Sequence, residues 1–324
     1  MSLSPLNRFA APIALLIGIA LTAGCGQNFA SFSGGDPRLT PVAAAEIRLP
    51  LREGSARFAA IGDTGTGGSG QYEVASQLIA AHAKFPFDFV IMMGDNMYGS
   101  EGSQDYVDKF ERPYKPLLDA GVKFYASLGN HDEPNQAFYK PFNMDGKRFY
   151  TFKPKDNLRF FALDSTYMSP EQLAWLDKEL GASGSEWKIA FFHHPMYSEG
   201  RHGSDIELRQ VIEPLLVKHG VDVVFAGHEH FYERLKPQQG IHHFIAGGSA
   251  KLRAGDIDRR TPFHAAGFDQ GYSFMLIEIA QDEMHFQAVS ENGKTVDAGV
   301  IRRRPNPTTL DPTSSAGART TALP

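Results

Sequence analysis

Residues 87–98 read FDFVIMMGDNMY. The apolar run Phe89 to Met93 stops abruptly at Gly94, Asp95 and Asn96, with Tyr98 two positions further on. A short, continuous apolar run reads as a strand buried on both faces, and polar donors just past its carboxyl end read as a ligand site. The pattern recurs outward in both directions. RFAAI (57–61) precedes GDTG, KFYASL (123–128) precedes GNHD, WKIAFF (187–192) precedes HHP, and VDVVFA (221–226) precedes GHEH. Helical patterns lie between these runs. Val74, Leu78 and Ile79 share a face behind a turn rich in glycine (Gly65, Gly67, Gly68, Gly70). Ser169-Pro170-Glu171 has the form of an N-cap, a first-turn proline and a first-turn acid ahead of Leu173, Leu176 and Leu180. Leu208, Ile212, Leu215 and Leu216 form a stripe ending at Gly220, and Pro214 predicts a kink or a late helix start. Such alternation predicts a largely buried sheet with helices on its faces and the five polar clusters gathered in one cleft. HHFIAGGS, GYSFMLIEI and MHFQAVS alternate better and read as antiparallel strands of a second sheet. The expected architecture is α/β, a layered sandwich of two mixed β-sheets flanked by helices.

Composition narrows the chemistry. The 324 residues carry 32 Lys+Arg against 37 Asp+Glu, a net charge of −5, with no basic block beyond Arg302 to Arg304, which argues against a nucleic-acid partner. A single cysteine rules out an intramolecular disulfide and a cysteine-rich zinc site, so metal chemistry falls to His, Asp, Asn and Tyr. That cysteine closes an N-terminal segment made of Arg8, an apolar run from Phe9 to Leu21, and LTAGC. The layout is that of an export signal, and the run is shorter than the roughly 20 residues a membrane span requires. LTAGC resembles the lipobox of bacterial lipoproteins, which implies a lipid on Cys25 as the membrane attachment; cleavage by ordinary signal peptidase is the alternative. Gly26 and Gln27 lack the aspartate associated with inner-membrane retention, which favours an outer-membrane or cell-surface lipoprotein facing the periplasm or exterior. Residues 26–55 read as a flexible tether, 56–304 as the working domain, and 305–324 as a disordered tail rich in Pro, Thr, Ser and Ala.

The donors at the strand ends are Asp63, Asp95 and Tyr98 (hard anionic oxygen), Asn130 (neutral oxygen), and His193, His228 and His230 (imidazole nitrogen). They exceed the needs of one ion, and mixed oxygen and nitrogen ligands suit first-row transition metals. Two ions about 3.5–4 Å apart, bridged by a carboxylate, can clamp the attacking and leaving oxygens of a phosphoryl transfer.

The five blocks GDTG, GDNMY, GNHD, FFHH and GHEH resemble those of the calcineurin-like metallophosphoesterases, and more narrowly the purple acid phosphatases with their DxG, GDxxY, GNH(E/D), VxxH and GHxH. The narrowing rests on Gly65, where most of the superfamily has histidine, and on Tyr98. Ala190 departs from the valine that opens the fourth block, at a packing position. The resemblance implies that Asp63, Asp95, Tyr98 and His230 hold Fe(III), and that Asp95, Asn130, His193 and His228 hold a divalent ion, Fe, Zn or Mn, with Asp95 as the bridge. It further implies an acid phosphatase acting on small phosphate monoesters, in which a metal-bound hydroxide attacks phosphorus in line and a general acid protonates the leaving alkoxide. His131, matching the third block, and His202, in the loop SEGRHGS, are the candidates for acid and phosphate contact. His202 also reads as a solvated loop residue, and His194 either orients its neighbours or is structural. Arg234 and Lys251 can meet an anion but are not counted in the site; His242, His243, Gly247 and Gly248 read as structural, and Trp175 and Trp187 as core. A diesterase or nucleotidase with the same metals, and a binding lipoprotein without activity, are the competing readings. No protein partner is expected.

Overall fold

The computed structural model describes Met1 and residues 36–303 except residue 185. The chain runs β1 (Ala56–Ile61), α1 (Ser69–Lys84), β2 (Phe89–Met93), α2 (Ser103–Tyr106), a π-helical turn (Val107–Glu111), α3 (Arg112–Asp119) and β3 (Lys123–Ser127). It continues through β4 (Tyr150–Lys155), β5 (Leu158–Ala162), α4 (Pro170–Gly181), β6 (Trp187–Phe192), α5 (Ile206–Lys218) and β7 (Val223–Ala226). The last strands are β8 (Tyr232–Leu235), β9 (His242–Ala246), β10 (His264–Phe268), β11 (Ser273–Ala280), β12 (Glu283–Ser290) and β13 (Thr295–Arg302). Two mixed sheets result, one ordered β13-β12-β11-β1-β2-β3 and the other β10-β8-β9-β7-β6-β5-β4. This is the layered sandwich expected from the sequence, but the strands are dealt differently between its layers. The runs before GDTG, GDNMY and GNHD lie parallel in the first sheet, and those before HHP and GHEH lie parallel in the second. The alternating segments do not form a sheet of their own: β9 runs parallel to β7, while β11 and β12 extend the first sheet antiparallel from β1. Apolar periodicity gives strand type and burial, whereas sheet membership depends on long-range pairing that periodicity does not encode.

Aromatic rings glue the layers. Phe58 on β1 stacks on Phe89 of β2 at 5.1 Å, and Phe160 of β5 meets both rings edge-on at 5.2 and 5.4 Å. Such edge-to-face contacts add about 0.5–1.5 kcal/mol each beyond the area they bury. With the two sheets packed face to face, the carboxyl ends of β1, β2, β3, β6 and β7 meet at one seam.

The helices follow their sequence cues with one exception. Ser169 caps α4, its Oγ accepting the Gln172 N–H at 3.2 Å, and Asp205 caps α5 by accepting the Leu208 N–H at 2.9 Å. Pro214 does not delay α5, which begins at Ile206 and buries Leu208, Ile212 and Leu216. Trp187 is fully buried and Trp175 packs against Phe149 at 5.1 Å.

Residues 36–55 do not behave as the tether their composition suggests. They form a strap along the first sheet, with Leu39, Ala45 and Leu49 buried in the core. The Arg48 N–H donates to Gln287 at 2.9 Å, and the buried Glu278 carboxylate accepts the Leu51 and Arg52 N–H groups at 2.7 and 2.5 Å. A few spaced apolar residues and side-chain acceptors on β11 and β12 anchor a segment that has no period of its own. Apart from Met1, the export signal expected from the sequence, the residues up to Gly35 and the tail from Arg304 lie outside the described residues. Among the described residues no helix is long and apolar enough to cross a membrane. A protein beginning at Ala56 should melt about 5–15 °C below one beginning at Asp36 in differential scanning calorimetry, because it loses three buried apolar residues and the two main-chain N–H donors to Glu278.

Candidate metal centre

Every expected ligand sits on the turn that follows a strand. The backbone there is forced: Asp63, Asp95 and His228 have φ of 57°, 49° and 69°, in the left-handed region that non-glycine residues rarely adopt. These turns also approach one another closely. A Cβ on Gly129 would lie 2.3 Å from Asp95 Oδ1, and one on Gly65 would lie 1.9 Å from the Asn96 carbonyl oxygen. No side chain fits at position 65, and its carbonyl accepts the Tyr98 N–H at 2.9 Å, so the missing histidine and the tyrosine are two parts of one local structure.

The donors fall into two groups that share Asp95. In the first, the Tyr98 hydroxyl lies 2.9 Å from Asp95 Oδ2, 3.1 Å from Asp63 Oδ1 and 3.4 Å from His230 Nε2, and His230 Nε2 lies 3.3 Å from Asp63 Oδ1. In the second, His193 Nε2 lies 3.0 Å from Asn130 Oδ1, 3.1 Å from His228 Nδ1 and 3.3 Å from Asp95 Oδ1. Asp95 thus turns one carboxylate oxygen to each group. All seven expected ligands are brought together here. His193 Nδ1 donates to the Met93 carbonyl at 2.9 Å, which leaves Nε2 as a lone pair aimed at the centre.

These residues fit a metal centre on their own chemistry. Ligand atoms about 3 Å apart are what bonds of about 2.0–2.2 Å to a common ion produce at near-right angles. Burial pushes the Asp63 carboxyl well above its ordinary range, reinforced by the neighbouring Asp95. Burial raises the Tyr98 phenol, with Asp63 and Asp95 adding to the effect. Burial draws His228 down to about 2 and His230 to about 3, and holds His193 well below normal, so the imidazoles are neutral ligands. Two nearly inaccessible carboxylates and neutral imidazoles around one point lack a countercharge that metal cations provide.

The histidines outside the ligand set divide the rim. The main-chain N–H of His131 donates to Asp95 Oδ1 at 3.0 Å, and its exposed ring lies 4.9 Å from that of Tyr98. The His202 ring lies 4.4 Å from His228, so it is no free loop residue. The main-chain N–H of His202 donates to Glu229 Oε1 at 3.0 Å, and Arg253 Nη1 donates to His202 Nδ1 at 2.9 Å and to Glu229 Oε2 at 3.1 Å. A neutral His202 therefore carries its proton on Nε2. His194 shares a hydrogen bond with Ser165 Oγ at 3.0 Å and stands 4.6 Å from His228, and its nitrogen joins those of His193 and His228 in a second possible metal-binding cluster. Asp63, Asp95 and His230 form the first. Arg234 is an ion-pair residue, bound to Asp297 at 2.7 Å, and His243 is buried in the second sheet beside Tyr197.

Three supporting residues were not singled out by the motifs. Asp132, the last residue of GNHD, is nine-tenths buried and accepts the N–H groups of Gly129, Asn96 and Met97 at 2.8, 3.1 and 3.0 Å, tying the second and third turns together. Burial and the nearby Asp95 push its carboxyl up to about 7. Glu229, the variable position of GHEH, anchors the His202 loop through the bonds given above, and Arg253 completes it. Asp132 stood in its motif as the acidic residue that closes GNH(E/D), and Glu229 as the residue between two ligands; no sequence pattern marks Arg253.

The comparisons agree with this geometry. The calcineurin-like phosphoesterase family profile matches residues 56–232, and the chain belongs to that family. It is a hydrolytic enzyme of the metallophosphoesterase type whose relatives are purple acid phosphatases. It is 27% identical to rat (Rattus norvegicus) tartrate-resistant acid phosphatase type 5, over 78% of this chain and 91% of that protein. It is 29% identical to Arabidopsis thaliana purple acid phosphatase 3, over 74% of this chain and 77% of that one. Among solved structures, the yellow lupin (Lupinus luteus) purple acid phosphatase PPD1 superposes with a TM-score of 0.66 at 20% identity, covering 79% of this chain and 55% of the lupin chain. GAP50, the anchor in the inner membrane complex of Plasmodium, superposes at 0.70 with 18% identity over 78% of this chain and 90% of its own, a likeness of fold alone. The purple acid phosphatase relatives imply a dinuclear metal centre.

Asp63→Asn removes the repulsion with Asp95 while keeping an acceptor for the His228 N–H, which Asp63 Oδ2 takes at 2.9 Å. In the presence of chelator this variant should melt a few degrees above the parent, and in the presence of saturating metal it should melt below it, a crossover that thermal denaturation under the two conditions reads directly.

Proposed function

We propose that the chain is an exported phosphatase with a dinuclear centre that hydrolyses small phosphate monoesters. In this reading Fe(III) lies among Asp63, Asp95, Tyr98 and His230, and a divalent iron, zinc or manganese among Asp95, Asn130, His193 and His228. The observation that carries it is the Tyr98 hydroxyl, set 2.9 and 3.1 Å from two carboxylates where a phenolate, a hard anion, favours a trivalent ion. When bound, the two ions supply Lewis-acid activation of water and of the phosphate oxygens. The protein's own groups do the rest. Asp95 holds the two halves of the centre at a fixed separation. His202, kept neutral by burial and by Arg253, presents its Nε2–H above His228, where it can donate to a phosphate oxygen or the departing oxygen. His131 stands over Tyr98 on the other half and serves the same purpose from that side.

The visible spectrum of protein reconstituted with iron tests the assignment. A broad tyrosinate-to-iron band that disappears in Tyr98→Phe is the expected result, and a colourless protein with two bound metals would discard the ferric assignment. Asp95→Asn should lower kcat for a monoester at least a hundredfold; a variant as fast as the parent would refute the shared-carboxylate centre. Faster turnover of a matched diester than of the monoester would move the reading to a phosphodiesterase or nucleotidase. The export proposal rests on LTAGC, with Cys25 lipidated and the catalytic domain outside the cytoplasm, in the outer membrane or at the cell surface. Cys25→Ser should shift the protein from the membrane to the soluble fraction in cell fractionation. An unchanged membrane fraction would discard the lipid attachment.

A further inference from the structure

Beyond β9 the chain crosses the mouth of the metal centre from Ser249 to Arg253. Both ends of this crossing are fastened to site turns: Ser249 N–H donates to the Gly62 carbonyl at 3.3 Å, and Arg253 N–H donates to the His230 carbonyl at 3.1 Å. The crossing carries two cations. Arg253 is engaged by Glu229 and His202, as described. Lys251 is not: its Nζ stands 4.4 Å from the centre of the Tyr98 ring, and among the described residues it has neither a carboxylate nor a hydrogen-bond partner. The side chain is half-buried. Elsewhere on the molecule lysines near acids take them, as Lys109 takes Asp105 at 2.9 Å and Lys218 takes Asp177 at 2.7 Å. An ammonium confined on a ring face loses side-chain freedom for a contact of about 0.5–1 kcal/mol when exposed, so the site gains most from it when an anion arrives.

We propose that Lys251 is a substrate-phosphate contact of this centre and selects a dianionic phosphate monoester over a monoanionic diester. The proposal rests on the phosphatase reading above and supplies its specificity. A diester bears one charge, whereas a phosphate monoester, with a second pKa of about 6, bears nearly two at neutral pH. A fixed cation at the edge of the site attracts the second about twice as strongly as the first, since Coulomb energy scales with the product of charges. The residue lies beyond the stretch that the family profile matches, which ends at 232, in a segment outside the ligand blocks.

The test compares metal-loaded parent, Lys251→Met and Lys251→Arg at pH 7. Lys251→Met should raise KM for 4-nitrophenyl phosphate about tenfold, with a smaller change for bis(4-nitrophenyl) phosphate. The dissociation constant of inorganic phosphate, measured by equilibrium dialysis, should rise by a similar factor, the size of one charge-assisted contact. Lys251→Arg should recover most of the loss in both measurements, which shows that charge rather than chain packing is responsible. Equal shifts for the two esters, or a phosphate dissociation constant within twofold of the parent, would overturn the proposal. If the parent hydrolyses neither ester, the phosphatase reading falls, and the dialysis result alone decides whether Lys251 binds phosphate.

Discussion

The Asp95 carboxylate is the constraint around which the rest is arranged. Its Oδ2 faces the Tyr98 hydroxyl and its Oδ1 faces His193, so one buried side chain belongs to both halves of the centre. To hold it there, β2 must end at a left-handed turn, Gly129 must lack a side chain, and Asp132 must gather the N–H groups of two neighbouring turns. The strain and the uncompensated charge are local, while their compensation is spread over the sandwich. Stacked and edge-on phenylalanines between the sheets make the seam rigid enough to keep seven donors from five turns converged.

The seam also explains why the centre needs both sheets. The first supplies the hard oxygen donors and Asn130, the second the three imidazoles. A shift of one sheet against the other by an ångström would separate the imidazoles from the carboxylates and leave both groups buried without partners. The buried aromatic interface is therefore a condition of the site's geometry as well as of stability.

Much of this was legible in the sequence, because strand ends are where continuous apolar runs stop and because ligand identity is a matter of residue type. The five donor blocks, the α/β layering and the capped start of α4 are of this kind. What escaped were facts of tertiary pairing. That β11 and β12 join β1 rather than form a second sheet depends on contacts between residues more than two hundred positions apart. The strap from Asp36 to Ser55 was hidden because its anchors, Glu278 and Gln287, lie on distant strands, and its own composition resembles a linker. Asp132 and Glu229 were visible as letters but not as hydrogen-bond hubs, since a ligand pattern is silent about the residues that brace it. Lys251 lacked any motif, and only the crossing from Ser249 to Arg253, fastened to Gly62 and His230, brings it over Tyr98.

The strap has a direction. At Asp36 it is joined to Tyr72 and, through Arg38, to the Gly67 carbonyl, on the turn that leads from the GDTG block into α1; at Arg52 it reaches the opposite end of the sheet, where β1 begins. The chain therefore enters the domain at its catalytic pole and is carried to the far pole before the first strand starts. Whatever holds this protein by a point upstream of Asp36 pulls on the rim of the active centre rather than on its base.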